Sequence, residues 1–108
     1  MIILRVVLHT SHEKHKELKQ ALLSMISDIR RETSCSKANA YLNLENENHL
    51  VMLSHWESRE ELNAYLRSDK FGALLGTRIL LSSPLLVFID KVAMREGIEA
   101  VMALRGSG

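Results

Sequence analysis

The sequence predicts an α+β fold, a four-stranded antiparallel sheet with two helical segments on one face. Three observations predict it. Apolar residues alternate with a period of two in four stretches, the signature of strands. In two intervening stretches the period lengthens to three and four, the signature of amphipathic helices. The resulting order is βαββαβ, with no repeat, linker or low-complexity segment. Short connections and the handedness rule fold that order into a ferredoxin-like sheet.

The first strand is Ile2 to His9, with Ile2, Leu4, Val6 and Leu8 facing one way and Ile3, Arg5, Val7 and His9 the other. Thr10-Ser11-His12-Glu13 matches a capping box, with Thr10 as N-cap and Glu13 reaching back, so a helix is expected to begin there. Its apolar stripe is Leu18, Ala21, Leu22, Met25, Ile26 and Ile29, running out near Arg31 or Glu32. Ser36 to Glu45 alternates as a half-buried strand, with Ala38, Ala40, Leu42 and Leu44 on one face and Lys37, Asn39, Tyr41 and Asn43 on the other. Asn46-Glu47-Asn48 reads as the turn of a hairpin whose second strand is His49 to Trp56. Ser58-Arg59-Glu60-Glu61 is a second capping box, opening a short helix with Leu62, Tyr65 and Leu66 on its apolar side. Phe71, Leu74, Leu75 and Ile79 suggest a further helical piece interrupted by Gly72 and Gly76, and Pro84 stops it. Leu85 to Met94 is the last strand, and Ile98, Val101 and Met102 support a short terminal helix.

One hundred and eight residues suit a single domain, expected over 1–105 with a frayed tail at 106–108. Apolar residues make up 46% and charged residues 25%, ordinary for a chain with one core and against disorder. No apolar run approaches the roughly 20 residues of a spanning helix, so no membrane partner is expected. The first residues lack the basic region and cleavage site of a signal peptide, which points to the cytoplasm. Fourteen basic and thirteen acidic residues are interleaved, without the one-sided basic patch of a nucleic-acid binder. Cys35 is the only cysteine, which excludes an internal disulfide and a cysteine-rich zinc site. Ile3, Val7 and the apolar residues of 85–92 make both sheet faces too apolar for water. A second copy of the chain is therefore expected on the open face, as a homodimer.

The stretch Leu53 to Phe71 resembles the antibiotic biosynthesis monooxygenase family. A strand-ending Trp56, the capped helix start Ser58 with Glu61 and Leu62, and the turn Ser68 to Phe71 match the family's pattern, and Cys35 falls where the family often opens its second strand with Gly-Cys. With the element order, the resemblance covers about residues 1 to 94. It implies a dimeric α+β barrel and, among several activities, oxidation of a polyketide aromatic or quinol by dioxygen with no cofactor. Three positions depart from the pattern. Ser54 stands where many members have an acid, Tyr65 where many have a histidine, and Ala38 where a tyrosine is common. In the haem-degrading branch the axial histidine would fall at about Leu75, which cannot ligate iron, so haem would have to bind through another histidine such as His9, His12 or His15.

The candidate catalytic residues are Trp56, Tyr65, Asn39 and His15. Trp56 offers an indole N–H and a flat wall, and equally fits the core as its largest side chain. Tyr65 can exchange a hydrogen bond with a substrate hydroxyl, or pack with its own hydroxyl at the core edge. Asn39, on one strand face with Asn43 and Tyr41, can orient an oxyanion if that face holds the cavity. His15, three residues before Leu18, can serve as general base. Arg78 reads as a surface cation, and His49 and His55 fall on the face opposite Trp56, that of the dimer interface. Cys35 reads as a small buried thiol. His9, His12 and His15 repeat every three residues, but a strand end followed by a helical turn would send their rings apart, so no metal site is expected. The competing function is a non-catalytic dimeric module that binds a small ligand in the same cavity.

Overall fold

A computed structural model of the protein describes residues 1–106. Its sheet contains β1 (Ile2–His9), β2 (Cys35–Asn43), β3 (Asn46–Trp56) and β4 (Leu86–Lys91), in the spatial order β2-β3-β1-β4 and antiparallel throughout. The helices are α1 (His15–Ile29), α2 (Arg59–Leu66), α3 (Asp69–Gly76) and α4 (Ile98–Leu104), and a 3₁₀ turn at Thr77–Leu80 follows α3. This is the ferredoxin-like arrangement that the element order predicts.

Strand parity decides which residues meet. Ile2, Leu4, Val6 and Leu8 of β1 are all buried and pair with Trp56, Ser54, Met52 and Leu50 of β3, so these residues share the face that the helices cover. Leu18, Leu22, Ile26 and Ile29 of α1, Leu62 of α2 and Leu74 of α3 close the core over them. The opposite face carries Ile3, Arg5, Val7 and His9 of β1 with their β3 partners His55, Leu53, Val51 and His49. On its flanks lie Lys37, Asn39 and Tyr41 of β2 and Leu86, Phe88 and Asp90 of β4. On this face Val7 is buried, whereas Leu86 and Phe88 remain 44% and 40% exposed.

Four sequence expectations are corrected. Helix α1 begins at His15, not at a Thr10 cap. Thr10 continues the sheet instead: its N–H donates to the Asn48 carbonyl at 2.9 Å, it bridges to Leu81, its hydroxyl donates to the Leu80 carbonyl at 2.6 Å, and residues 12–14 form a turn before the helix. The helix ends at Ile29, where the ladder tightens: the Arg31 and Glu32 N–H groups take the carbonyls three residues back, those of Asp28 and Ile29, while the Arg30 side chain donates from Nε to the Ala38 carbonyl at 2.9 Å. The hairpin turns at Leu44 and Glu45, while Asn46-Glu47-Asn48 belongs to β3. Asn43 Oδ1 accepts the Glu45 N–H and Asn46 Oδ1 the Asn48 N–H, two side-chain turns that place the reversal earlier, and Leu44 is left wholly exposed. Strand β4 is shorter than 85–94 and ends at Lys91. Ile2 is opposite Lys91, and the Val92 N–H takes the Met1 carbonyl.

Helix α3 runs through Gly72 unbroken, and Ile79 lies on the 3₁₀ turn facing solvent. Helix α4 forms as expected but buries none of its residues. Gly106 has a positive φ of 70°; Ser107 and Gly108, the rest of the expected frayed tail, lie outside the described residues. Among the described residues no helix is long and apolar enough to cross a membrane.

Candidate functional site

The end of β3 builds the candidate site. Trp56 is the last residue of β3, on the helix-covered face, and is 1% exposed. Its indole N–H is already used: it donates to Ser54 Oγ at 2.9 Å within the core. Ser54 lies two residues earlier on the same strand face, so the pairing follows from strand parity. A carboxylate at that position would place a charge in the same buried spot, whereas the hydroxyl satisfies the indole without one.

Tyr65 reaches Trp56 from α2. Ser58 caps that helix, its Oγ accepting the Glu61 N–H at 3.2 Å, which is half of the expected capping box. The Tyr65 and Trp56 rings stack with centroids 4.8 Å apart and planes at 24°, and Phe71 of α3 meets Tyr65 edge-on at 5.5 Å. The register of α3 is set by Ser68, whose Oγ donates to the Tyr65 carbonyl at 2.6 Å and accepts the Phe71 N–H at 3.3 Å. One serine thus joins the two helices and positions two rings. Burial pushes the Tyr65 phenol well above its ordinary range, with the charges of Cys35 and Glu32 adding in the same direction. At neutral pH Tyr65 therefore keeps its proton. Burial likewise pushes the half-buried Cys35 thiol above its ordinary value.

A cleft of about 190 Å³ opens beside the stacked rings, lined by Trp56, Tyr65, Glu32, Ser34, Glu61, Ala64 and Ser68. It holds two carboxylates. Glu32 is paired with Lys70 of α3 at 2.7 Å, and Glu61 is exposed at the rim. The volume is below the roughly 300 Å³ at which drug-sized pockets begin, and it suits one or two fused rings. A larger depression of about 540 Å³ at Leu75, Arg78 and 81–85 has one cation, held by its Nε on the Leu75 carbonyl, and no aromatic wall.

The four candidate residues do not form one constellation. Trp56 and Tyr65 are brought together. Asn39 lies on the open sheet face at the β2 edge, where its Oδ1 accepts from the Arg30 guanidinium at 3.0 Å. His15 sits in the first turn of α1, beside the start of β3, at the other end of the sheet from Trp56. Its ring stacks on that of His12 at 5.0 Å, and its Nδ1 contacts the His12 carbonyl. His49 and His55 fall on the open face as expected; His49 meets His9 edge-on at 4.4 Å, and burial followed by the charges of Arg95 and Lys37 holds the His55 imidazole below its ordinary value. Glu61 was legible one helical turn before Tyr65. Glu32 and Ser34 were not, because only the fold brings the end of α1 beside α2.

A family model described as antibiotic biosynthesis monooxygenase matches residues 1–75. A search of the curated proteins finds no match. Among solved structures, a candidate antibiotic biosynthesis monooxygenase from Deinococcus radiodurans superposes with a TM-score of 0.82 at 19% identity, over 90% of this chain and 97% of that one. A Mycobacterium tuberculosis protein gives a TM-score of 0.80 at 18% identity, over 89% and 98%. A conserved protein from Methanosarcina mazei gives 0.75 at 28% identity, over 84% and 93%.

Proposed function

The chain belongs to the antibiotic biosynthesis monooxygenase family, and from that premise we propose that it oxidises a small aromatic or quinol with dioxygen, needing no cofactor, in the Trp56–Tyr65 cleft. The observation that carries this reading is the pairing of a flat, stacked aromatic wall with two carboxylates in one small cleft. Several polar groups converge on a surface that can hold a planar ring, which is what positioning and proton transfer require.

The assigned roles follow from the chemistry of each group. Glu61, free of an ion pair with Lys70, takes a proton from a quinol hydroxyl. The quinolate gains carbanion character at the adjacent ring carbon and passes one electron to dioxygen. Recombination of ring radical and superoxide forms a C–O bond, and the peroxide takes the proton back from Glu61. Loss of the ring-carbon proton with cleavage of the O–O bond releases water. Quinol and dioxygen become hydroxyquinone and water, with one oxygen atom in each product and four electrons from the substrate. Tyr65, which keeps its proton, serves as a neutral donor to the oxyanion. Trp56 supplies the wall and no donor, since its N–H is held by Ser54.

The test is oxygen uptake by purified protein with a panel of one- and two-ring hydroquinones. Uptake above the buffer rate, abolished in Glu61→Gln and lowered in Tyr65→Phe, is the expected result. Rates equal to buffer across the panel would remove the enzymatic reading. One observation favours the second reading, a non-catalytic binding module: the Trp56 N–H is consumed inside the protein and the interior between sheet and helices is filled by Leu8, Leu18, Leu62 and Leu74. That reading predicts saturable quenching of Trp56 fluorescence by a quinol with no oxygen uptake.

The working unit in this proposal is a homodimer joined through the open sheet face. Its support is the apolar strip of Ile3, Val7, Val51, Leu53, Leu86 and Phe88, with Arg5 held 4.5 Å over the Phe88 ring. A monomer in sedimentation equilibrium at micromolar concentration would overturn it. The proposed compartment is the cytoplasm, in keeping with a lone thiol at Cys35 that makes no disulfide.

A further inference from the structure

At the end of the sheet away from Trp56, three side chains from two separate elements converge on one point. His12 comes from the turn before α1, His15 from the first turn of α1, and Glu47 from the start of β3. One donor atom from each lies within 4.8 Å of the other two. The late start of α1 creates this cluster. Because Thr10 is tied to Asn48 and Leu80, residues 12–14 form a turn and not helix, and the turn folds the His12 ring back onto His15. His9, the third histidine of the sequence repeat, points to the open sheet face and meets His49 instead.

The details suit a metal better than an ordinary surface ion pair. The partner of His15 Nδ1 is the His12 carbonyl, which can only accept, so Nδ1 carries the proton and the Nε2 lone pair is left for a ligand. An imidazole that donates its other N–H to a backbone carbonyl is the usual orientation of a metal-bound histidine. His15 is buried and held, whereas the His12 and Glu47 side chains are 77% and 52% exposed and free to adjust. His12 Nδ1 and Glu47 Oε1 are already 3.4 Å apart. Donor atoms around a tetrahedral ion with bonds of about 2.0 Å stand about 3.3 Å from one another, so the two mobile side chains need to close by little more than about 1 Å.

We propose that His12, His15 and Glu47 form a site for a first-row divalent transition-metal ion, Zn²⁺ foremost, with at least one coordination position left to water. Two neutral imidazoles and one carboxylate are borderline donors that suit Zn²⁺, Co²⁺, Ni²⁺ or Cu²⁺ and discriminate against Mg²⁺ and Ca²⁺, which take oxygen ligands. The ion would fasten the start of α1 to β3. This inference does not depend on the oxygenase reading, since the six residue steps of β3 from Leu50 to Trp56 alone separate the two regions by roughly 20 Å.

The experiment is titration of tag-free, full-length apoprotein with Co²⁺, followed by visible absorption, and with Zn²⁺, followed by calorimetry and thermal unfolding. One saturable site per chain is expected, with the intense visible bands of tetrahedral Co²⁺ and a rise in melting temperature on adding Zn²⁺. His12→Asn and Glu47→Gln, both at exposed positions that leave the core intact, are each expected to weaken binding at least about tenfold and to remove the thermal shift. His49→Asn is expected to bind as wild type. Three outcomes overturn the proposal: no saturable binding by wild type, undiminished binding in both His12→Asn and Glu47→Gln, or loss of binding in His49→Asn, which would move the ion to the His9–His49 pair.

Discussion

The two faces of the sheet are built from the same strands, yet they meet different surroundings. On the inner face, Ile2, Leu4, Val6 and Leu8 of β1 are 7%, 2%, 1% and 0% exposed. On the outer face, the β4 residues Leu86 and Phe88 are 44% and 40% exposed, and Arg5 spends its guanidinium on the Phe88 ring. The inner face is complete within one chain, because α1, α2 and α3 seal it. The outer face mixes apolar residues with Arg5, His9, His49, His55, Lys37, Asn39 and Asp90; Val7 at its centre is buried, and its β4 edge is left open. Hydrophobic patterning therefore describes what must be buried, not what buries it.

The largest expected effect comes from opening the sealed face. Leu8→Ala is expected to lower stability by about 2–5 kcal/mol, measured by urea unfolding, because a fully enclosed side chain leaves a cavity that the packed helices cannot fill. Leu44→Ser, on the wholly exposed hairpin turn, is expected to change stability by less than about 0.5 kcal/mol. Equal losses at the two positions would erase the distinction between the regions.

A smaller effect, and one confined to association, is expected on the outer face. Leu53 pairs across the strands with Arg5, so Leu53→Lys sets two cations side by side and repeats the conflict in the second copy. The proposed dimer is expected to weaken at least about a hundredfold while the monomer keeps its far-ultraviolet dichroism. Sedimentation equilibrium reads the first and a thermal melt the second. An unchanged dissociation constant would place the interface elsewhere.

Next in size is Ser54→Ala, which leaves the buried Trp56 N–H without its acceptor. The expected loss is about 1–3 kcal/mol, read by denaturant unfolding, together with a change in Trp56 fluorescence. Ser54→Thr keeps the hydroxyl and is expected to recover part of it.

Much of this was legible in the sequence, and the parts that were not share a cause. Strand alternation placed Ser54 and Trp56 on one face and His49 and His55 on the other without any structure. The same alternation put Asn39 opposite Ala38, but periodicity is silent on which face the helices cover, and so Asn39 was a candidate for a cavity it does not border. Thr10-Ser11-His12-Glu13 has a helix-start pattern, yet long-range contacts hold Thr10 in the sheet, its N–H on the Asn48 carbonyl and its hydroxyl on the Leu80 carbonyl seventy residues away. The His12–His15–Glu47 cluster depends on that outcome. Local propensity could not show it, nor could it show Glu32 and Ser34 arriving beside Tyr65.

The finest measure of how well the inner face is sealed is a single proton. Burial raises the Tyr65 phenol above the ordinary tyrosine value of about 10, so in the alkaline range the unfolded chain gives up a proton that the native chain retains. With fewer protons bound in the unfolded state, stability must fall as pH rises past about 10, and the contribution is fully present below that pH. Tyr65→Phe has no proton to lose. At neutral pH it is expected to differ from wild type by less than about 1 kcal/mol. Above pH 10 the wild type should lose ground against it by up to about 1.4 kcal/mol per pH unit, as measured by urea unfolding of both proteins across the alkaline range. A constant difference between the two would mean that water reaches the phenol, and that the inner face is open at the very ring on which the proposed chemistry depends.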